Sequence, residues 1–364
     1  MARLLVFEPR MLGDAILSLP FVRGAMEQHE VTVCCLPKTA PIYRWILPPE
    51  RIIEWEVPWD CAKPAREKWT DFRRVTQQIR ALHFDTVVSV WPDARVHIWM
   101  ALLGIPQRIS FPMTRLNYVG WQRPWRGRQL QLGKVLEWIG AIGLLRPLLT
   151  RKLSKHDSNQ RHWMNWQQIA EALDTPWRAE TPWLPTDPST LAPDFTQFIQ
   201  QERALGRPIW MVHPGARMAN RRWAPERFQQ ILDNYFPAHG ISVVVLRPPD
   251  SPALDVRCGH QLDYAAGSLT ELAAATAQVD GVLCNDSMMM HLAAALGCRV
   301  VPLFSAGGRG WFAPFQNDEF IAYVDICPHC PCLDRCLMPS PICIEQLGVD
   351  IVQQKLDLAL ATHK

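Results

Sequence analysis

Long uninterrupted apolar runs are missing from this chain of 364 residues. The longest apolar stretch, Val135 to Leu149, is broken by Glu137 and Arg146, which leaves it short of the ~20 residues a membrane-spanning helix needs. A basic leader with a small-residue cleavage site is lacking too, because Met1 to Val6 run straight into a strand-like pattern. Both absences lead us to expect a cytoplasmic protein. An excess of one charge is also missing: 38 basic against 35 acidic residues leave a formal charge of +3, too balanced to imply a nucleic-acid partner. Internal repeats and low-complexity segments are not found.

What the chain does have is apolar material. A hydrophobic content of 48% over 364 residues suffices for two ordinary cores. Five of the eleven cysteines fall between Cys327 and Cys343, while the other six are scattered through apolar segments. That pattern favours reduced core thiols plus one local metal site over a disulfide scaffold.

Strand-length apolar runs at Arg3 to Phe7, Val31 to Leu36 and Thr86 to Val90 alternate with helix-like stretches, the rhythm of parallel βαβ units. From Thr175 to Asp194 come Pro176, Pro182, Pro185, Pro188 and Pro193, a density that helix interiors and central strands do not tolerate. The linker is placed there. Beyond it, strands are expected at Ile209 to His213, Ser242 to Leu246, Gly281 to Cys284 and Val300 to Phe304. Helices are expected at Ala224 to Phe236, Leu269 to Ala277 and Met288 to Leu296. The fold class is therefore α/β, with doubly wound Rossmann-like domains at 1–180 and 181–345, the latter carrying the cysteine cluster 327–343, and a C-terminal helix at 346–364. Two such domains facing each other would share a central cleft, where open α/β sheets bind ligands.

Three segments carry chemistry. Strand one ends in Glu8-Pro9-Arg10-Met11-Leu12-Gly13-Asp14. Asp14 is either a helix cap or a general base at the domain edge. Domain two opens with Val212-His213-Pro214-Gly215-Ala216 and continues into Arg221-Arg222-Trp223, where the guanidinium pair reads as a phosphate clamp or as a solvated basic turn. Trp223 and Phe228 are more simply core anchors. The third segment, Asn285-Asp286-Ser287-Met288, precedes His291. Asp286 or Ser287 caps a helix whose first amides and partial positive charge suit a diphosphate. His291 is four residues past Ser287 and shares its helix face.

Together these segments resemble the ADP-heptose glycosyltransferases, the family that includes the lipopolysaccharide heptosyltransferases, over nearly the whole chain and in order. The resemblance implies a GT-B fold, inverting transfer and no catalytic divalent metal or other catalytic cofactor. It implies Asp14 as the base, Arg221 at the place of a phosphate-binding lysine, and Asp286, Ser287 and His291 lining the nucleotide-sugar site with His213, Arg222 and Met288. Met288 stands where the family commonly has Gly, and Arg247-Pro248-Pro249-Asp250 replaces a Gly-rich acidic turn.

Cys327, Cys330, Cys336 and Cys343 have the spacing for a closed structural zinc or iron site, with Cys332 and His329 in reserve; reduced surface thiols are the competing reading. Similar cysteine fingers occur in some family members, including transferases that heptosylate autotransporter proteins. From Ala94 through Leu136 there is no acidic residue, while arginines that include Arg115, Arg123 and Arg126 interleave with Trp99, Trp121 and Trp125. Such a face suits a phosphorylated glycan or glycolipid acceptor and peripheral contact with the inner membrane, or is simply a basic surface beside core tryptophans. The expected activity is heptose transfer from ADP-heptose to a lipopolysaccharide core or related surface glycan. The alternatives are a protein O-heptosyltransferase acting on an autotransporter, a noncatalytic nucleotide-sugar-binding protein, and an epimerase of the same fold.

Overall fold

A computed structural model describes the chain apart from residues 60–61, 113–143, 155–159, 248–252, 258, 306–307, 330–331, 333–335 and 363–364. The chain divides into two compact units, Met1–Ala179 and Glu180–Lys364.

The first unit is built on six strands: β1 (Ala2–Glu8), β2 (His29–Cys35), β3 (Ile52–Glu54), β4 (Thr86–Val88), β5 (Gln107–Ser110) and β6 (Arg151–Lys152). They form one parallel sheet in the order β3-β2-β1-β4-β5-β6. Leu4, Leu5, Val6 and Phe7 are all buried, as a central strand covered on both faces requires. The helix Leu12–Met26 follows β1 and is buried throughout from Ala15 to Val22. Its second covering is the helix His162–Leu173, whose Trp166 stacks on Phe21 at 5.3 Å. Trp99 lies in the core with Phe7 at 4.5 Å and Trp55 at 4.9 Å, its indole N–H donating to Thr76. This corrects the reading of Trp99 as part of an acceptor surface: its ring fills the space beneath β1 and is 1% exposed.

The second unit holds β7 (Ile209–His213), β8 (Ser242–Leu246), β9 (Gln261–Tyr264), β10 (Gly281–Asn285) and β11 (Arg299–Leu303), parallel in the order β11-β10-β7-β8-β9. Trp210, Trp223 and Phe228 anchor its core, joined by Val352, Leu356 and Ala359 of the terminal helix Val349–Ala361. That helix thus belongs to the second unit's core. The stretch expected as one helix from Ala224 starts as Pro225–Gln230 and widens into a π turn, Ile231–Tyr235, ahead of Pro237. Proline cannot donate the main-chain bond that a regular helix would need there.

Both sheets share one feature that positions everything else. The unit's first strand is central, its second strand lies on one side and its fourth on the other. Such a reversal opens a crevice beyond the strand carboxyl ends. In the first unit it falls between β1 and β4, in the second between β7 and β10. No helix among the described residues is long and apolar enough to cross a membrane.

The helix that follows β1 is locked in place by Gly24. A Cβ there would lie 1.7 Å from the carbonyl oxygen of Pro176, a main-chain atom that cannot turn aside. Gly24→Ala should therefore cost about 2 kcal/mol or more through overpacking, seen as a drop of several degrees in the midpoint of thermal unfolding.

Candidate active site

At the first crevice, β1 ends at Glu8 and the helix begins at Leu12, so Asp14 is the third helical residue and not the cap itself. One carboxylate oxygen accepts the Met11 N–H at 3.2 Å, an arrangement that satisfies a helix-start donor. The other lies 3.6 Å from Nε2 of His162, and the Asp14 side chain is 13% exposed. Burial, helped by the Arg10 charge, drives the His162 pKa down to about 3. His162 is thus neutral at physiological pH, and its contact with Asp14 is not an ion pair.

Glu8 sits beside this pair, fully buried. It accepts the Trp91 indole N–H at 2.8 Å. The Arg10 guanidinium lies over the Trp91 ring at 4.2 Å, and the His162 ring packs against the same indole at 4.8 Å. Burial first, and then the Asp14 charge, push the Glu8 carboxyl well above the usual carboxylate range. Sequence reasoning assigns Glu8 and Arg10 no role and misses Trp91 and His162. For Glu8 the usable signal is an acidic residue at the end of an apolar strand. His162 is far from Asp14 in sequence and carries no local signal.

At the second crevice, β7 ends at His213, opposite Cys284 on β10. Burial lowers the His213 pKa to about 4, so the ring stays neutral; its Nδ1 is 3.4 Å from the Ser287 hydroxyl. Ser287 caps the helix Met288–Ala295 by accepting the Met289 N–H at 3.3 Å. The first amides of that helix have no intrahelical acceptors and carry its positive end. His291, one turn along, is buried; Met288 is partly exposed at the helix start, while Met289 and Met290 pack inward.

Arg221 ends a short 3-10 turn, Ala219–Arg221. Its Nη1 donates to Asp286 at 3.0 Å and its guanidinium lies 4.8 Å from the Phe312 ring centre. Asp286 is buried, so this is a desolvated pair. Arg222 points elsewhere: its Nε donates to the Ala216 carbonyl at 2.7 Å, closing the loop on itself. The two guanidinium groups therefore hold different partners, one the Asp286 carboxylate and the other a main-chain carbonyl. Asn285 is the brace that the sequence reading did not single out. Its side chain donates to the Pro214 carbonyl at 2.7 Å and accepts the Trp223 N–H at 3.0 Å, tying both ends of the 214–223 loop to β10. Trp223 is a core residue, its indole donating to the Leu347 carbonyl at 2.8 Å.

Residues 137–339, more than half of the chain, match the family model described as Glycosyltransferase family 9 (heptosyltransferase). The chain belongs to that family. Over 324 residues it is 22% identical to Lipopolysaccharide heptosyltransferase 3 of Escherichia coli, covering 85% of each protein. Its fold is similar to that of the family 9 glycosyl transferase of Veillonella parvula DSM 2008, with a TM-score of 0.66 at 16% identity, covering 99% of this chain and 98% of that one. The structure of E. coli heptosyltransferase WaaC with ADP-2-deoxy-2-fluoro heptose gives a TM-score of 0.62 at 14% identity, covering 98% and 99%. These likenesses establish the GT-B fold, and membership of the family makes the protein a glycosyltransferase.

This family 9 member also gathers thiols. Cys327, Cys332, Cys336 and Cys343 line one small cavity with Asn220 and Ser305. Burial and then the neighbouring thiols push Cys332 up to about 11. Cys332, held in reserve by the sequence reading, thus shares a cavity with three of the expected ligands, while Cys330 lies outside the described residues. Among the described residues, no group of three or more His, Cys, Asp or Glu is set to hold a metal ion. The expected acceptor residues Arg115, Arg123 and Arg126 also lie outside the described residues.

Asn285→Ala would strip the partner from the buried Trp223 N–H and from the Pro214 carbonyl. We expect a stability loss of about 2 kcal/mol, the scale for stranding buried polar groups, which chemical denaturation would measure.

Proposed function

We propose that the protein is an inverting heptosyltransferase that moves heptose from ADP-heptose to a lipopolysaccharide core or related surface glycan. The observation that carries this reading is the pairing of two chemistries at the two crevices of a family 9 fold. One is a partly accessible carboxylate, Asp14. The other is a helix start flanked by Ser287, His213 and the Arg221–Asp286 pair.

In this reading Asp14 takes the proton of the acceptor hydroxyl while that oxygen forms a bond to the anomeric carbon. The bond from that carbon to the diphosphate breaks on the opposite face, and ADP leaves with the electron pair. Attack and departure on opposite faces invert the anomeric centre. Positive helix ends and guanidinium groups stabilise the charge that grows on the leaving diphosphate. Burial keeps the neighbouring His162 neutral, with a pKa near 3, so it places no positive charge beside the Asp14 carboxylate. The neutral His213 supplies hydrogen bonding without titrating in the working range.

Asp14→Asn keeps the oxygen that accepts from Met11 and removes the basicity. Turnover should fall by roughly 10²- to 10⁴-fold, the usual worth of a general base, with donor KM and circular dichroism unchanged. Wild-type turnover in this variant would dismiss Asp14 from the role. Mass spectrometry of glycan and protein acceptors after incubation with ADP-heptose would identify which is modified.

In this reading the cysteine cluster holds a structural zinc or iron, with Cys327, Cys330, Cys336 and Cys343 as the ligands and Cys332 in reserve. Thiolates suit either ion, and a closed set leaves no position for catalysis. Elemental analysis should find about one metal per chain, and chelation should lower the unfolding temperature. Metal-free protein of unchanged stability would remove the assignment.

A further inference from the structure

The catalytic reading leaves one buried acid without a task. Glu8 ends the central strand of the first unit and is wholly excluded from solvent. One of its oxygens takes the Trp91 indole N–H at 2.8 Å, while the other, Oε2, is buried without a hydrogen-bond partner among the described residues. We propose that Glu8 is a positioning residue that works as a neutral acid, holding the Trp91–His162 wall against which Asp14 is set. The proposal rests on the reading of Asp14 as the base.

The geometry argues for the neutral form. A buried carboxylate needs a cation or several donors to offset its lost hydration, and among the described residues Glu8 has only neutral hydrogen-bond donors, the Trp91 indole and the Arg10 main-chain N–H. The groups around it on every side are few. Arg10 faces it from the connection after β1, Asp14 from the first turn of the helix Leu12–Met26, Cys35 from β2, Tyr43 from the short helix Ala40–Tyr43, and Trp91 from beyond β4. Cys35 and Tyr43 are uncharged, both pushed upward chiefly by burial. Among the described residues, the charges that bear on Glu8 are those of Asp14 and Arg10, and the Arg10 guanidinium is laid over the Trp91 face. Of two neighbouring carboxyls, the one cut off from water keeps the proton.

The neutral acid then acts through a chain of contacts. Glu8 fixes the indole, the indole packs the His162 ring at 4.8 Å, and that ring sits 3.6 Å from the Asp14 oxygen. Glu8 itself touches no reacting atom in this scheme.

Glu8→Gln reproduces the neutral acid in shape and retains an acceptor for the indole, whereas E8L removes the acceptor and Trp91→Phe removes the donor. A group protonated in the folded state but ionised when unfolded stabilises at low pH, and that contribution fades as pH rises past its unfolded value. E8Q should therefore gain on the wild type by several degrees in Tm between about pH 5 and pH 7.5. A gap independent of pH overturns the proposal.

In catalysis, E8L and W91F should each lose roughly ten-fold in kcat with donor KM unmoved. E8Q should recover most of that loss, with the acid limb of its kcat/KM profile at the wild-type pH. An acid limb displaced downward in E8Q would mean that Glu8 is ionised and would overturn the proposal, as would wild-type kcat in E8L. An E8Q protein that fails to fold while W91F folds counts against it as well, because the amide matches the neutral acid in size. Full activity in Asp14→Asn would sink the base assignment, whereas the Tm comparison would still report independently on the Glu8 proton.

Discussion

Reversal of strand order within each parallel sheet is the constraint from which the chemistry follows. A central strand whose neighbours continue in opposite directions sends its connection to one face of the sheet and that of its partner to the other. The gap between those connections is left uncovered. β1 with β4 and β7 with β10 make this arrangement in the two units. It matters because central parallel strands are otherwise sealed on both faces, as the buried run Leu4 to Phe7 shows. Polar groups can reach substrate only where the sheet ends, and there the following helix presents its amide-rich start. Asp14 and Ser287 occupy equivalent places in this scheme, each at the opening of the helix that follows a strand flanking the gap.

The electrostatics of both crevices follow from how little water reaches them. Desolvation keeps His162 and His213 neutral. It also makes the Arg221–Asp286 pair costly to maintain, since a buried ion pair seldom repays its lost hydration in stability alone. A pair retained under those terms is better explained by what it positions. Neutral groups do the bracing: Asn285 ties the 214–223 loop to β10 without introducing a charge. Charge is thereby reserved for the groups that would meet substrate.

Much of this was legible beforehand, and the reason is burial. Strands covered on both faces read as continuous apolar runs, so β1, β7, β8 and β10 stand out at Leu4, Met211, Val244 and Leu283. The short strands β3, β5, β6 and β9 did not, because segments such as Gln107-Arg108, at the start of β5, and Arg151-Lys152, on the sheet edge, are polar and partly exposed and carry no apolar signature. Trp99 shows the opposite failure. An indole among arginines looks like a sugar platform until its position beneath Phe7 is known. The helix cap slipped by three residues, from Asp14 to Met11, because Met11 has no capping side chain to mark the true boundary. Contacts between distant segments, such as Asp14 with His162 or Asn285 with Pro214, have no local pattern at all.

Arg221 shows why a change of cation at this position is tolerable. A lysine offers a point charge that can follow its ligand, whereas a guanidinium is a rigid plane whose value depends on orientation. Here that plane is set by the protein: Asp286 holds one edge at 3.0 Å and the Phe312 ring lies 4.8 Å from its centre. Asp286 in turn sits one residue past the end of β10, its N–H bonded to the Leu303 carbonyl of β11. The orientation of the fork is therefore inherited from the sheet. A planar cation fixed this way gives up the adaptability of lysine and gains preorganisation, which in the proposed mechanism would matter where charge develops on the departing diphosphate.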